Sequence, residues 1–209
     1  MKSFRMIAGF VGLLIASAVV VQAETLQAVR VTWPGIHTVW QHGTMYFTSE
    51  PTAQGLAAAK QHGVSTVVNL MTSEEIDAPQ PAVKPVLRPW WVDMLDRPAP
   101  KKVESVKEAQ AAQALGLRYE HVPVDVKAPS EDSVARFLNI VKEVNSQNLL
   151  IHCDVGGRAL TMYAIYLGTC CGYTPEAAVA AAEKAGLKHE GLKKFALAYL
   201  KRHAVSTTI

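Results

Sequence analysis

The sequence predicts an α/β fold: a single domain built on a mainly parallel central sheet flanked by helices. Three observations carry that prediction. Short stretches of strand character (Val64–Met71, Leu117–Val122, Leu149–His152) alternate with longer helical ones, the order that places helices over a parallel sheet. The first reads VSTVVNLM and the third LLIH, near-continuous apolar runs of the kind that strands buried on both faces show. The helical stretches carry their own start and stop signals, which separate them cleanly from the strands.

The elements follow in chain order. Lys2 and Arg5 precede an apolar run from Met6 to Val21, and Val21-Gln22-Ala23 offers small residues where a signal peptidase reads. The run is shorter than the roughly 20 residues that cross a bilayer, so residues 1–23 are expected to be a cleaved signal peptide rather than an anchor. The mature domain is then 24–209, periplasmic or secreted, without membrane contact after cleavage. Residues 24–37 carry no clear pattern. Thr38–Gln41 and Thr44–Thr48 flank His42-Gly43 as a short hairpin. Pro51 opens a helix over Thr52–His62, closed by Gly63, and the buried strand Val64–Met71 follows.

Residues 72–101 hold six of the 11 prolines around Trp90-Trp91 and read as one long irregular segment at the rim of a site. Lys102–Leu115 reads as a helix ended by Gly116, Leu117–Val122 as a strand and Pro123–Pro129 as a loop. Ser130 caps a helix whose apolar face is Val134, Phe137, Leu138, Val141 and Val144. Leu149–His152 is a strand. A helix then runs from the Cys153–Arg158 turn to Cys171, another opens at Thr174-Pro175, and a last one covers Glu190–His203.

Composition narrows the function classes. The net charge of +3 falls to +1 once Lys2 and Arg5 leave with the leader, and no basic run stands out, which argues against a nucleic-acid partner. His37, His42, His62, His121, His189 and His203 show no metal-ligand spacing. The three cysteines (Cys153, Cys170, Cys171) are odd in number and two are adjacent, a poor disulfide framework. Cys170 and Cys171 are expected to be small core residues of their helix. Cys153 is left as a free thiol at the carboxyl end of a strand, where α/β sheets bind ligands.

The segment His152-Cys153-Asp154-Val155-Gly156-Gly157-Arg158 has the chemistry of an activated nucleophile. The thiolate is the reactive form of cysteine, and a free thiol titrates near ~8.5. The amino end of the next helix, the fixed charge of Arg158, and N–H groups turned inward at Gly156 and Gly157 all favour the thiolate. The same donors, from Asp154, Val155, Gly156 and Gly157, can cradle a tetrahedral oxyanion, which an arginine grips with two parallel hydrogen bonds. His152 would hold the loop or tune Cys153 from behind, although a histidine ending a strand is often simply a core residue.

This segment resembles the His-Cys-x5-Arg signature of the cysteine-dependent tyrosine and dual-specificity phosphatase superfamily. Tyr119-Glu120-His121-Val122-Pro123-Val124-Asp125 resembles the strand and loop that carry its general acid. Tyr46-Phe47-Thr48-Ser49-Glu50-Pro51-Thr52, and Val67-Val68-Asn69-Leu70 followed by Glu74-Glu75, resemble the opening of its bacterial β-lactamase-hydrolase-like branch. The resemblance covers about residues 38–172. It implies a phosphatase-like fold, a phosphorylated protein or small molecule as substrate, no cofactor or metal, Cys153 as nucleophile, Arg158 as phosphate ligand and Asp125 as acid. Glu131 and Asp132 are fallbacks for the acid, although the helix dipole already accounts for them.

Two departures keep alternatives open. Four residues separate Cys153 from Arg158 instead of five, as in that bacterial branch but also as in rhodanese sulfurtransferases, whose cysteine carries a persulfide. Ala159 stands where phosphatases place Ser or Thr, and Thr161 is about 200° further round a helix. The alternatives are thus a sulfurtransferase and a pseudophosphatase that only binds phosphoanions.

Overall fold

A computed structural model describes residues 27–77, 105–144 and 148–203. The expected signal peptide (1–23) and most of the proline-rich segment, from residue 78 onward, lie outside the described residues. Among the described residues no helix is long and apolar enough to cross a membrane.

The elements are β1 (Val29–Trp33), β2 (Ile36–His42), β3 (Met45–Ser49), α1 (Ala53–Gln61), β4 (Thr66–Asn69), α2 (Ser73–Asp77), α3 (Ser105–Ala114), β5 (Arg118–His121), α4 (Glu131–Glu143), β6 (Leu149–Cys153), α5 (Gly157–Cys170), α6 (Pro175–Lys184) and α7 (Glu190–His203). One sheet takes the order β1-β2-β3-β6-β4-β5. Strands β3, β6, β4 and β5 run parallel, and β1 and β2 add an antiparallel edge. The domain is therefore α/β with a mainly parallel centre, as the alternation of elements predicts.

Strand β6 lies at the centre, and all five of its residues are buried. Successive side chains of a strand point to opposite faces. Leu149, Ile151 and Cys153 accordingly join the core formed with α4, α5, α6 and α7. Leu150 joins the core of the other face, with Leu56 and Ala59 of α1 and Ala112 of α3. Helix α5 is buried almost continuously from Arg158 to Ile165, so the residues after the cysteine loop are fixed by packing on nearly every side.

The sequence reading needs three corrections. Strand β1 occupies a stretch without a pattern because it is an edge strand: Val29 and Arg30 are exposed and only Trp33 is buried, so no apolar alternation marks it. Residues 73–77 are helical rather than irregular. Thr72-x-x-Glu75 forms a reciprocal cap, the Thr72 N–H donating to Glu75 Oε2 (2.8 Å) and the Glu75 N–H to Thr72 Oγ1 (3.4 Å). Cys170 and Cys171 are exposed, not core. They lie in the last turn of α5, where Gly172 (φ +72°) turns the chain away, beyond the buried stretch of the helix.

Helix α1 meets the β1–β2 turn at very short range. The Gly35 carbonyl accepts from the Thr52 N–H (2.9 Å) and from Thr52 Oγ1 (3.1 Å). A Cβ on Gly55 would stand 2.6 Å from Ile36 Cγ1 and 2.7 Å from the Gly35 oxygen. In a free helix Gly→Ala gains about 0.5–1 kcal/mol. Here the overlap with backbone reverses the sign, and Gly55→Ala is expected to lower stability by about 1–3 kcal/mol, read as a lower urea midpoint at unchanged m-value.

Candidate active site

The site forms where three parallel strands end. In register, Ser49 of β3 pairs with Cys153 of β6, and Asn69 of β4 pairs with His152. The β4–β5 ladder continues past both strands, the Val124 N–H donating to the Leu70 carbonyl (3.1 Å). Cys153, Leu70 and Val124 thus lie at one edge of the sheet, the carboxyl edge, where the fold class places a ligand.

From Cys153 the chain bends through 154–156 and enters α5 at Gly157. Gly156 is the N-cap residue at φ +92°, a left-handed conformation that side chains resist. Its position turns its own N–H onto the Cys153 sulfur at 3.2 Å. The Glu50 N–H donates to the Asp154 carbonyl (3.1 Å) and ties the loop to the end of β3. Val155, at the tip, is 77% exposed, whereas Cys153 is 1% exposed. The sulfur therefore lies at the floor of the loop with its outer rim in solvent.

Arg158 is 4% exposed. One terminal nitrogen, Nη1, contacts Glu75 Oε2 (2.5 Å), the Leu70 carbonyl (3.3 Å) and the Val124 carbonyl (3.2 Å), and Nη2 donates to Glu75 Oε1 (3.0 Å). Burial works against its charge, but Glu75 and the Cys153 sulfur outweigh burial and leave the guanidinium harder to deprotonate than usual. Burial likewise pushes the Glu75 carboxyl up. Hydrogen bonds from Arg158 and from the Thr72 backbone reverse that, and the carboxyl ends below its ordinary value. Glu75 is accordingly an ionised clamp and is unsuited to donate a proton.

Asp125 is exposed, and its Oδ1 accepts from the Lys127 N–H at 2.8 Å, closing its own turn. It directly follows Val124, whose carbonyl Arg158 contacts. With Thr72, Glu74, Glu75, Val126 and Lys127 it lines a cleft of about 440 Å³. The loop is anchored from behind: Ser133 Oγ donates to the Pro123 carbonyl (2.6 Å) and Arg136 to the His121 carbonyl (2.7 Å). Glu131 is engaged away from this cleft by Arg202, which removes one fallback acid.

His152 is fully buried on the opposite face of β6 from Cys153, 2.7 Å from Glu108 of α3. The hydroxyl of Thr161 donates to the Gly157 carbonyl (2.9 Å), while Ala159 is buried, so no hydroxyl of α5's first turn is available to the sulfur from these positions. The structure thus joins Cys153, Gly156 and Arg158 tightly and places Asp125 at the neighbouring cleft. It adds two residues to which the sequence reading gave no role, Glu75 and Glu108. The first had a legible signal in the Thr72-x-x-Glu75 cap. The second had one too: it lies four residues before buried Ala112, a carboxylate on the inward face of a helix.

The Glu75–Arg158 pair gives a pH dependence with a definite sign. A carboxyl lowered by folding contributes stability that is complete above its unfolded value, near 4.5, and is lost as pH falls through the lower folded value. Glu75→Gln is expected to cost about 1–2 kcal/mol at pH 7, less than a fully buried pair because Glu75 is 39% exposed. The difference from wild type in urea unfolding should shrink as the pH is taken well below 4.5. A difference that grows on acidification would contradict the clamp.

Comparison with curated proteins finds no match. Among solved structures, P. aeruginosa TpbA is 18% identical, with 86% of this chain and 91% of that one covered at a TM-score of 0.58. A further TpbA structure is a complex with pTyr. Tk-PTP is 18% identical, with 83% and 98% covered at a TM-score of 0.58. A DUF442 phosphatase structure from Shewanella putrefaciens CN-32 is 19% identical, with 80% and 93% covered at 0.58. At such identities the likeness shows a shared phosphatase fold. The sequence itself goes further, because residues 40–205, most of the chain, match a family defined by its phosphatase domain rather than by sulfur transfer. The chain belongs to that family, PTP-SAK (Swiss Army Knife protein, DSP-PTPase phosphatase domain), and is a cysteine-dependent phosphatase of the dual-specificity and tyrosine type.

Proposed function

We propose that the protein is an exported phosphomonoester hydrolase that acts on phosphotyrosine-like esters through a phosphocysteine. One observation carries the reading: the Cys153 sulfur lies under the Gly156 N–H, and the same loop ends in a buried guanidinium. A donor and a fixed cation around one thiol match the oxygens of a phosphoryl group held for attack by the sulfur. The pTyr complex of TpbA supports a phosphorylated aromatic substrate.

In the first step Cys153 Sγ attacks phosphorus, an S–P bond forms and the P–O ester bond breaks. Asp125 gives its proton to the departing oxygen. Arg158 and backbone N–H groups of 154–157 hold the three equatorial oxygens. In the second step water attacks phosphorus, Asp125 takes the water's proton, the P–S bond breaks, and phosphate leaves with the thiolate restored.

The assignment of roles is tested by leaving group. Cys153→Ser is expected to abolish turnover, while Cys170→Ala and Cys171→Ala leave it largely intact. Asp125→Ala should slow hydrolysis of esters with high-pKa leaving groups by about 10²–10⁴-fold and that of an activated aryl phosphate far less. Equal slowing of both substrates would place the acid elsewhere.

Export rests on Lys2, Arg5, the apolar run and Val21-Gln22-Ala23. Mass spectrometry of the protein from its native host should find a mature amino terminus at Glu24. An intact Met1 on a membrane-bound product would overturn export and leave the chemistry untouched.

A further inference from the structure

Glu108 is a carboxylate with no exposure at all, on a helix that contributes no atom to the phosphate loop. His152, equally buried, holds its Nε2 2.7 Å from Glu108 Oε1. Among the described residues, no hydrogen bond reaches either Glu108 oxygen or either His152 ring nitrogen, so the 2.7 Å approach joins the two as an ion pair by distance alone. As imidazolium and carboxylate, or as their neutral forms, the two bury no net charge, and each is the other's only described ionic partner.

The surroundings are ionisable on several sides. Tyr119 of β5 is pushed up, first by burial and then by the charges of Glu108 and Glu50, while a hydrogen bond from Asn69 Nδ2 (2.8 Å) pulls the other way. Glu50 directly follows β3, and Cys153 and Arg158 lie at and beyond the end of β6. A buried polar pair carries a desolvation cost that a well-packed apolar pair would not, so its presence here calls for a role. What it can organise follows from the strand. His152 and Cys153 are adjacent on β6 and point to opposite faces, so whatever fixes the His152 ring fixes the backbone from which the sulfur and the 154–156 bend depart.

We propose that Glu108 is a positioning residue: by pairing with His152 across the sheet it anchors the carboxyl end of β6 to α3 and thereby sets the Cys153 loop in its reactive geometry. The proposal rests on Cys153 being the nucleophile, and it concerns reactivity rather than substrate binding, which the loop N–H groups and Arg158 carry out.

The test uses the full mature chain, with two readouts and two variants. Glu108→Gln keeps the size and removes the charge. It is expected to lower kcat on an aryl phosphate, and the rate at which iodoacetate labels Cys153 at pH 7, by about ten-fold, with KM within two-fold. Because a half-removed buried pair can unfold a protein, the second variant is E108L/H152L, in which both partners become apolar and stability can be retained. It should melt near wild type yet remain slow in both assays. Wild-type kcat and labelling in a stably folded E108L/H152L, or an E108Q that loses only thermal stability, would overturn the proposal by showing a purely structural pair. The labelling readout needs no turnover, so failure of the phosphatase assignment would appear separately, as a reactive Cys153 without phosphate release.

Discussion

The structure depends on keeping one guanidinium charged inside the protein. Arg158 stands in the first turn of α5, nearly out of solvent. The effective penalty for an unpaired buried ion is several kcal/mol, comparable with the whole stability of a domain. Its acceptors come from separate parts of the chain: Leu70 after β4, Val124 after β5 and Glu75 on α2, with the Cys153 sulfur of β6 also favouring the charged guanidinium. These elements have to converge for the arginine to be tolerated. Their convergence at the carboxyl edge of the sheet is also what would bind the phosphoryl group there in the proposed reaction. The same contacts therefore serve the fold and the chemistry.

Glu75 gives this arrangement its character. A guanidinium held only by carbonyls would be positioned by partial charges, whereas Glu75 binds it through two oxygens and fixes the plane of the fork. The clamp is itself held by Thr72, through a reciprocal cap that starts a helix of five residues. That helix is too short to persist on its own account. Its carboxylate orders the arginine, and the arginine in turn keeps the helix docked, so α2 and the loop are mutually dependent.

Much of this was legible in the sequence, and what was not has a physical reason. Helix α7 runs over Glu190–His203, the range read from the sequence, and Thr174 and Ser130 cap α6 and α4 through their hydroxyls. These signals are local, set by backbone groups within one turn. The cysteine loop was legible for the same reason, since Cys153, Gly156 and Arg158 act within six residues. Glu75, 83 positions from Arg158, and Glu108, 44 from His152, carried local signals as a cap partner and an inward-facing helix carboxylate, but their partners were not legible, because those come only from tertiary pairing. Cys170 and Cys171 failed in the opposite sense. The apolar stretch around them is real, but the buried part of α5 ends before its last turn, which composition cannot show.

The missing hydroxyl after Arg158 finds its explanation in the loop geometry. In the proposed reaction the sulfur is nucleophile first and leaving group second, and both roles need a donor that favours the thiolate. A Ser or Thr at 159 would supply one, but Ala159 is buried and the Thr161 hydroxyl is spent on the Gly157 carbonyl. The Gly156 N–H stands 3.2 Å from the sulfur and needs no side chain to be aimed there. The left-handed backbone at φ +92°, which glycine adopts without strain, lets the chain turn from that position into α5. A backbone donor is fixed and carries no rotamer entropy, so it does not have to be ordered at the moment the P–S bond breaks. Four residues separate Cys153 from Arg158, and within that loop the Gly156 N–H reaches the sulfur itself. In the proposed reaction the main chain can therefore supply the donor to the leaving sulfur that Ala159 cannot.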